Sequence, residues 1–372
     1  MKFIISSSEL LKGLMAVSKA IPAKSSLPIL EYFLFDVSGD TLEVTASDSE
    51  ISMRTRIQAE SVDEEGRMAV PARHMLELLK ELPDQPLTIQ TVKDNFFQCN
   101  WMGGDSTLPC FNADEYPQIA TTDETAAQVT FPAQVLVDGI NGTIYATDDD
   151  EMRPIMNGIL FDMTPAGTTL VASDSRKLIC FTTTQVKTEQ QSCFILHKKP
   201  AGIIRSIMGK DIEEVNISYD GKNAVFAFGN TIIVCRLIVG KYPKYREVIP
   251  HNNSNVLKID RQMLLNCVKR VSVCTSKASN LIKFDLQSNS LEVSAQDLGF
   301  NIAAHEKVEC QYDGEDIQIG FKSTFLVEIL SNMSCSEVFM KLSDPRRAAL
   351  ILPGDDDDDT QKLFGILMPN LI

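Results

Sequence analysis

The sequence predicts an α+β protein made of three copies of one module, each with two helices on one face of antiparallel sheets. The first observation is a phrase that occurs three times, as Leu42-Glu-Val-Thr-Ala-Ser-Asp-Ser-Glu-Ile51, Leu170-Val-Ala-Ser-Asp-Ser-Arg-Lys-Leu178 and Leu291-Glu-Val-Ser-Ala-Gln-Asp-Leu-Gly-Phe300. The aligned alanines Ala46, Ala172 and Ala295 are 126 and 123 residues apart. The second observation is that each copy combines apolar residues at helical spacing with many alternating strands. Helices set among antiparallel strands in this way are typical of an α+β fold.

Three module ranges follow from this spacing, namely 1–122, 128–250 and 254–372. A second pair of phrases supports them, because Leu27-Pro-Ile-Leu30 is answered by Arg153-Pro-Ile-Met156 at the same offset of 126. Each module is long enough to bury a core of its own.

Apolar residues at spacings of three and four predict two helices in each module. The serines at positions 6–8 provide an N-cap for the first helix, and Pro83 stops the second. The predicted helices span residues 8–20, 72–82, 133–145, 198–210, 261–272 and 322–333.

Composition excludes several classes of protein. Of the 372 residues, 44% are hydrophobic and 23% are charged, as in ordinary soluble globular proteins. No apolar run approaches the roughly 18 residues that cross a bilayer, and the N-terminus has no signal-peptide core, so we expect a cytoplasmic protein without membrane contact. The nine cysteines are scattered and the four histidines lack metal-ligand spacing. We therefore expect reduced cysteines, no metal and no cofactor.

Charge is divided unevenly between the predicted helices and the rest of the chain. The six helix spans hold 12 basic and 5 acidic residues, a net charge of +7, so the remainder carries −22 when the whole chain carries −15. A basic helical surface suits a phosphate backbone and requires no base readout. Lysines on solvated helix faces are also routine, so the asymmetry alone leaves both interpretations open.

Two acidic runs raise the alternative of a metal-dependent phosphodiesterase, since clustered carboxylates are able to hold two metal ions. They are Asp148-Asp-Asp-Glu151 and Asp355-Asp-Asp-Asp-Asp359. Acidic runs beside Pro and Gly are far more often solvated loops. We therefore expect a protein that is not an enzyme.

Short motifs recur along the whole chain in a fixed order. They are Leu27-Pro-Ile-Leu30, Ala46-Ser-Asp48, Val70-Pro-Ala-Arg73, Arg153-Pro-Ile-Met-Asn-Gly158, Ala172-Ser-Asp-Ser-Arg-Lys-Leu178, Tyr242-Pro-Lys-Tyr-Arg246, Leu342-Ser-Asp-Pro345 and Leu367-Met-Pro369. With these motifs on a threefold repeat, the chain resembles the bacterial sliding clamp family, the β subunit of the replicative DNA polymerase (DNA polymerase III).

The resemblance implies a non-catalytic processivity factor. Two three-module chains would close head to tail into a homodimer ring, with helices facing double-stranded DNA and sheets outside. The implied partners are the DNA polymerase III α subunit, the clamp loader and other proteins with a clamp-binding motif, such as repair polymerases, mismatch-repair proteins and ligase. A monomeric peptide-binding scaffold that never encircles DNA is the remaining alternative.

By resemblance, Lys24 and Arg73 are candidate DNA contacts. Charge alone adds three more on one helix, Lys198, Lys199 and Arg205. The chain departs from the family in the acidic loop Thr147-Asp-Asp-Asp-Glu151, where the family loop also approaches DNA. The candidate dimer contacts are Leu78, Leu82, Val273 and Cys274.

The resemblance also implies a hydrophobic pocket that binds short linear peptides. Carried over residue by residue, it comprises Met156, Ser173, Ser175, Arg176, Leu178, Pro243, Val248, Ile366, Met368 and Pro369. Apolar side chains suit Leu or Phe anchors, and methionine provides an adaptable wall. Glu247 stands where many members have a basic residue. The alternative is that Leu367-Met-Pro369 is simply the last strand of a core.

Overall fold

Six α-helices and 26 strands make up the part of the chain described by a computed structural model, which covers residues 1–92, 95–123, 125–354 and 359–372. The helices are α1 (Ser7–Val17), α2 (Ala72–Glu81), α3 (Ala133–Thr143), α4 (Lys198–Ile207), α5 (Arg261–Ser272) and α6 (Ser323–Ser331). The strands are β1 (Lys2–Ser6), β2 (Tyr32–Ser38), β3 (Thr41–Ser47), β4 (Ile51–Gln58), β5 (Ser61–Glu64), β6 (Gly66–Pro71), β7 (Pro86–Val92), β8 (Phe96–Trp101), β9 (Gly104–Pro109), β10 (Ala127–Pro132), β11 (Gly158–Thr164), β12 (Gly167–Ser173), β13 (Lys177–Thr183), β14 (Ser192–His197), β15 (Glu214–Tyr219), β16 (Asn223–Phe228), β17 (Thr231–Arg236), β18 (Asn255–Asp260), β19 (Leu281–Gln287), β20 (Ser290–Asp297), β21 (Ile302–Glu309), β22 (Gln311–Asp313), β23 (Ile317–Lys322), β24 (Glu337–Leu342), β25 (Ala349–Pro353) and β26 (Gln361–Leu367). The predicted α+β class is confirmed.

The chain divides into two compact units. The first contains Met1–Ala133 and Ile203–Leu237, and the second contains Gln134–Gly202 and Ile238–Ile372. Among the described residues, the first unit has a five-stranded sheet, β5-β1-β7-β8-β9, and an eight-stranded sheet, β10-β15-β16-β17-β4-β3-β2-β6. The second unit has a nine-stranded sheet, β14-β11-β12-β13-β26-β25-β24-β18-β22, and a four-stranded sheet, β21-β20-β19-β23.

The two larger sheets each join strands from two of the predicted modules. In the first unit β17 pairs antiparallel with β4, and in the second β13 pairs antiparallel with β26. A sheet that continues from one module into the next packs the two modules together. The two shared sheets therefore give two compact units rather than three. The three module ranges remain a prediction about the repeat.

The helices cover sheet surfaces with apolar faces. In the first unit α1 packs on β3, β4 and α2, and it buries Leu10, Leu14 and Val17. In the second unit α5 packs on β20, β21 and α6. The Asp260 side chain caps α5 by accepting a hydrogen bond of 2.7 Å from the amide of Met263. Within the described residues, no helix has the length and apolar character needed to cross a bilayer.

Five of the six helices are shorter than the sequence predicted, while α5 has the predicted bounds, and this changes the total charge of the helices. Lys19 lies in the 3-10 turn after α1, Lys210 follows Gly209 beyond α4, and Lys322 ends β23. Glycine disfavours continuation of α4, and Lys322 has an extended backbone. The observed helices therefore hold 9 basic and 5 acidic residues, a net charge of +4 rather than +7. The asymmetry keeps its sign but is smaller than predicted.

Candidate functional site

A cavity of about 270 Å³ lies in the second unit, beside the turn of the middle repeat phrase. The cavity is surrounded by the 3-10 turn Pro154–Asn157 and by residues 173–178, 242–248 and 366–368. Its lining consists of Met156, Ser173, Ser175, Arg176, Lys177, Leu178, Tyr242, Pro243, Lys244, Tyr245, Val248, Ile366 and Met368. The volume is just below the roughly 300 Å³ at which small-molecule sites begin, so it suits a few side chains of a peptide.

The turn between β12 and β13 is held by its own side chains. The Ser173 hydroxyl donates to the carbonyl of Lys177 (2.8 Å) and accepts from the amide of Ser175 (3.1 Å). Asp174 Oδ1 accepts from the amides of Arg176 (2.9 Å) and Lys177 (2.8 Å). Ser175 has a φ of 74°, a left-handed conformation that these bonds offset. The turn therefore presents Ser175 and Arg176 to the cavity in one fixed conformation.

A buried cluster forms the floor of the cavity. Leu178, Tyr242, Tyr245 and Ile366 belong to it. Burial, followed by the hydrogen bond to Asp162, raises the pKa of Tyr245, so its neutral phenol donates to Asp162 Oδ2 (2.8 Å). The Arg246 guanidinium also contacts this carboxylate at 2.8 Å. The buried acid is thus paired and the floor is rigid.

The C-terminal tail supplies another wall. The last strand, β26, pairs with β13, and the next residue, Met368, donates its amide to the carbonyl of Arg176 (2.8 Å). Two residues later Asn370 donates its amide to the carbonyl of Gly320 (2.8 Å). Met368 remains 44% exposed and faces the cavity. The tail is therefore anchored at both ends while an apolar side chain stays accessible.

Most of the predicted pocket residues lie together. Nine of the ten line this one cavity: Met156, Ser173, Ser175, Arg176, Leu178, Pro243, Val248, Ile366 and Met368. Pro369 follows Met368 but does not line it. The prediction missed Lys177, Tyr242, Lys244 and Tyr245, although the Tyr242-Pro-Lys-Tyr-Arg246 motif contained the signal. Glu247 pairs with Lys244 at 2.8 Å, so the rim holds both signs of charge.

The residues predicted to contact DNA differ in their surroundings. Lys24, Arg73, Lys199 and Arg205 are exposed. Arg73 pairs with Glu77 at 2.8 Å, and the hydrogen bond lowers the pKa of that carboxyl. This surface pair is weak and leaves Arg73 able to exchange partners.

Lys198 is engaged by the acidic loop. Its ammonium contacts the Asp149 carboxylate and donates to the carbonyl of Asp148 at 2.7 Å. The hydrogen bond from Lys198 lowers the pKa of Asp149. Arg153 in turn contacts Asp148 (2.7 Å) and Asp150 (3.0 Å). The loop therefore neutralises nearby cations, and Lys198 has less charge to offer a phosphate than the prediction assumed.

The alternative of a two-metal site gains no support from this loop, whose three aspartates have basic partners. Over the ranges that the structure describes, no group of three or more His, Cys, Asp or Glu residues could hold a metal ion. Positions 355–358 of the second acidic run lie outside the described residues.

The predicted dimer contacts lie in both units. In the first unit Leu78 and Leu82 are half-buried, and in the second Cys274 is half-buried while Val273 is exposed. Leu298 and Phe300, which the sequence prediction did not include, are 84% and 80% exposed between β20 and β21. Leu298 of the third repeat phrase stands where the other two copies have Ser49 and Ser175.

Comparison with known proteins agrees with these features. Residues 1–120, 130–244 and 246–366 match, in order, the N-terminal, central and C-terminal domains of the DNA polymerase III beta subunit. The chain is 25% identical over 352 residues to a beta sliding clamp of Haemophilus influenzae, covering 94% of this chain and 95% of that one. It is 26% identical over 359 residues to that of Vibrio cholerae, covering 96% and 97%.

The fold agrees as well. A solved structure of the DNA polymerase III subunit beta from Pseudomonas aeruginosa is 24% identical, covers 100% of both chains and superposes with a TM-score of 0.95. Three consecutive domain matches span nearly the whole sequence. The chain therefore belongs to the DNA polymerase III beta subunit family, the sliding clamps that serve DNA polymerase III as non-catalytic processivity factors.

Proposed function

We propose that two copies of this chain close head to tail into a ring around double-stranded DNA, and that the cavity tethers partner proteins by short peptides. The sheet sizes carry the ring proposal. Within the described residues the two sheets that join modules have eight and nine strands, whereas the other two have five and four. A five-stranded sheet joined to the four-stranded sheet of a second copy would make a third sheet of nine.

The repeat also indicates which strands would meet. β4, β13 and β21 follow the repeated turns at offsets of about 125 residues, and β9, β17 and β26 are related in the same way. Within the chain β4 pairs with β17 and β13 with β26. By the same rule, β21 of one copy would pair with β9 of the next, and both are edge strands of the described sheets.

Exposed apolar side chains near β21 favour this joint. Val273, Leu298 and Phe300 are exposed at the surface. Exposed patches of large apolar side chains commonly mark a surface to which another protein binds. With Leu78, Leu82 and Cys274 from the sequence prediction, they make up the proposed dimer contact. Adding strands across an edge supplies main-chain hydrogen bonds, and apolar side chains add affinity.

The helices would face DNA. Their net positive charge contrasts with an overall charge of −15, and phosphate contacts of this kind carry no sequence preference. We assign Lys24, Arg73, Lys199 and Arg205 as the main phosphate contacts. Lys198 is a weaker one because Asp149 already holds its ammonium.

The cavity would hold Leu or Phe side chains of a linear peptide. Its tyrosine, leucine and isoleucine floor and its Met156 and Met368 walls suit apolar anchors. We propose the DNA polymerase III α subunit, the clamp loader and other proteins with a clamp-binding motif as partners, meeting the clamp in the cytoplasm. Pro369 would act only by directing the tail.

Two measurements test the ring. The protein in solution should have a mass of about 83 kDa, twice the 41.3 kDa of the chain. Once loaded, it should stay on nicked circular DNA and slide off after linearisation. The double variant Leu298→Asp with Phe300→Asp alters two side chains that the fold leaves exposed, so it should give a folded 41.3 kDa species. A monomeric unaltered protein that still binds peptides would indicate a scaffold instead.

A further inference from the structure

One basic side chain in the cavity wall is placed unlike any other in the described residues. Lys177 is 5% exposed, and it is the one buried lysine or arginine there. Its ammonium contacts Glu328 Oε2 at 2.5 Å and Asp174 Oδ2 at 3.3 Å, and it lies 4.5 Å from the centre of the Phe325 ring. Burying a charge is unfavourable unless it is paired, and here two carboxylates and an aromatic ring surround it.

The turn itself does not need this charge. The first repeat phrase folds into the same turn: Ser49 has a φ of 77°, and Asp48 Oδ1 accepts from the amides of Glu50 (3.0 Å) and Ile51 (2.7 Å). The residue equivalent to Lys177, 126 positions earlier, is the buried Ile51. The residue 125 positions before Glu328 is the buried Ile203. The positions equivalent to the two partners of this ion pair are therefore both buried and apolar at the first site.

The ion pair joins the same two elements that the C-terminal tail joins. Lys177 links the turn between β12 and β13 to Glu328, the sixth residue of α6. The tail links the turn, through Met368 and the carbonyl of Arg176, to Gly320 of β23, which leads directly into α6. Met368 follows directly on β26, which is paired with β13 and β25, and the ion pair and the tail add two further links between the turn and the segment formed by β23 and α6.

We propose that Lys177 is a positioning residue of the cavity, which ties the turn to α6 through Glu328 so that Met368 is held in place for a bound peptide. This inference rests on the peptide-binding function proposed above. Without the ammonium, the turn and α6 stay joined through β26, which pairs with β13 and packs against α6, and through the hydrogen bonds of Met368 and Asn370. The Met368 side chain loses one of these supports and moves more freely. A peptide then has to order that wall on binding, which lowers affinity.

The test is the affinity of the intact protein for a fluorescein-labelled synthetic peptide with Leu and Phe anchors, measured by anisotropy. Lys177→Met and the milder Glu328→Gln should each weaken binding, by about 10-fold and about 3-fold, since the peptide then has to order the cavity wall on binding. Lys177→Arg keeps the cation but has a larger head group, so it should weaken binding less than Lys177→Met does. Exchange of the Met368 amide with deuterium should be faster in Lys177→Met.

Lys258 provides a matched control. Its ammonium contacts Glu337 at 2.8 Å and lies 5.8 Å from the centre of the Phe339 ring. Lys258 thus also has a carboxylate and an aromatic ring as neighbours, but none of these three residues lines the cavity. Lys258→Met should leave peptide affinity unchanged. Melting temperature is measured for every variant, because a merely structural role would lower it and leave affinity unchanged.

The outcomes separate the two proposals. No binding by the unaltered protein would overturn the peptide function and this inference with it. Binding that Lys177→Met and Glu328→Gln leave unchanged would overturn the inference alone. An equal loss in Lys258→Met would also overturn it, and a loss in Lys177→Met without any in Glu328→Gln would remove the link to α6. Lys177→Met should fold, since the first copy of the turn folds around Ile51.

Discussion

Removal of the last five residues, 368–372, should abolish most peptide binding while leaving the fold and the dimer intact. The fold loses little, because the two backbone hydrogen bonds of the tail are worth about 0.5–1.5 kcal/mol each. Ile366 and Leu367, which are buried, remain in β26. The proposed dimer contacts lie elsewhere, so the mass should stay at twice that of one chain.

The loss of affinity follows from the exposure of Met368. Full burial of a methionine side chain is worth roughly 1.5–3 kcal/mol, and 44% of this one is still exposed, so a peptide that covers it gains about 1 kcal/mol. The gap left by its other atoms costs about another 1 kcal/mol. A total of about 2 kcal/mol corresponds to roughly a 30-fold higher Kd.

A shorter truncation is the matched control. Leu371 and Ile372 are 80% and 63% exposed and lie beyond the Asn370–Gly320 hydrogen bond. Removing only these two should leave the Kd within about 2-fold, measured by anisotropy with the same labelled peptide. If both truncations lose affinity equally, or the longer one loses less than about 3-fold, then Met368 is not a wall of the binding site.

Three further predictions use other parts of the molecule. The double variant Lys199→Glu with Arg205→Glu should reduce retention on DNA and make DNA binding less dependent on salt. The slope of log K against log salt concentration should fall in magnitude by about 0.9 for each phosphate that is no longer neutralised. An unchanged slope would place these side chains away from DNA. The hydrogen bond from Arg270 lowers the pKa of Glu306 below its usual 4.5. The pair therefore stabilises the fold at neutral pH, and this stabilisation is lost as the pH falls through the lowered pKa and Glu306 becomes protonated. The melting temperatures of Arg270→Gln and the unaltered protein should therefore differ at pH 7 and converge in acid. Iodoacetamide at pH 8 should alkylate exposed Cys193 in the native protein. Reaction of the buried thiols whose pKa burial raises would contradict the structure; they are Cys99 (to about 11), Cys180, Cys235 and Cys267 (each to about 12).

The threefold repeat made much of the fold predictable. A helix or strand that is ambiguous in one module can be assigned from the equivalent residues of the other two. All six helices occur where apolar spacing placed them, and differences are confined to their ends. Helix ends depend on single residues, such as Gly209 after α4, whose effect is smaller than that of a whole apolar face. The sequence did not predict that sheets run across the modules, since strand pairing such as β13 with β26 joins residues nearly 200 positions apart.

The cavity was predictable to the extent that its residues lie in recognisable motifs. Lys177 was missed as a wall because a lysine after a polar turn usually points to solvent. Its burial depends on Glu328 and Phe325, about 150 residues later, and no local pattern reveals such a pairing. The partnership of Lys198 with Asp149 was missed for the same reason, although the acidic loop had been singled out.

The three equivalent strands after the repeated turns also differ in a way that bears on ring opening. Every residue of β13 but one is buried, and it pairs with β26 of the same chain. β21 carries the polar and charged residues His305, Glu306, Lys307 and Glu309, whereas β13 carries the apolar run Leu178-Ile-Cys-Phe181. Separating β13 from β26 would expose this apolar run to water, which is costly. Separating β21 from a second copy would expose apolar contacts around the strand, but the charged side chains of the strand itself are well solvated by water. A ring that must admit DNA would therefore open between copies, at β21, while the joints within each chain stay closed.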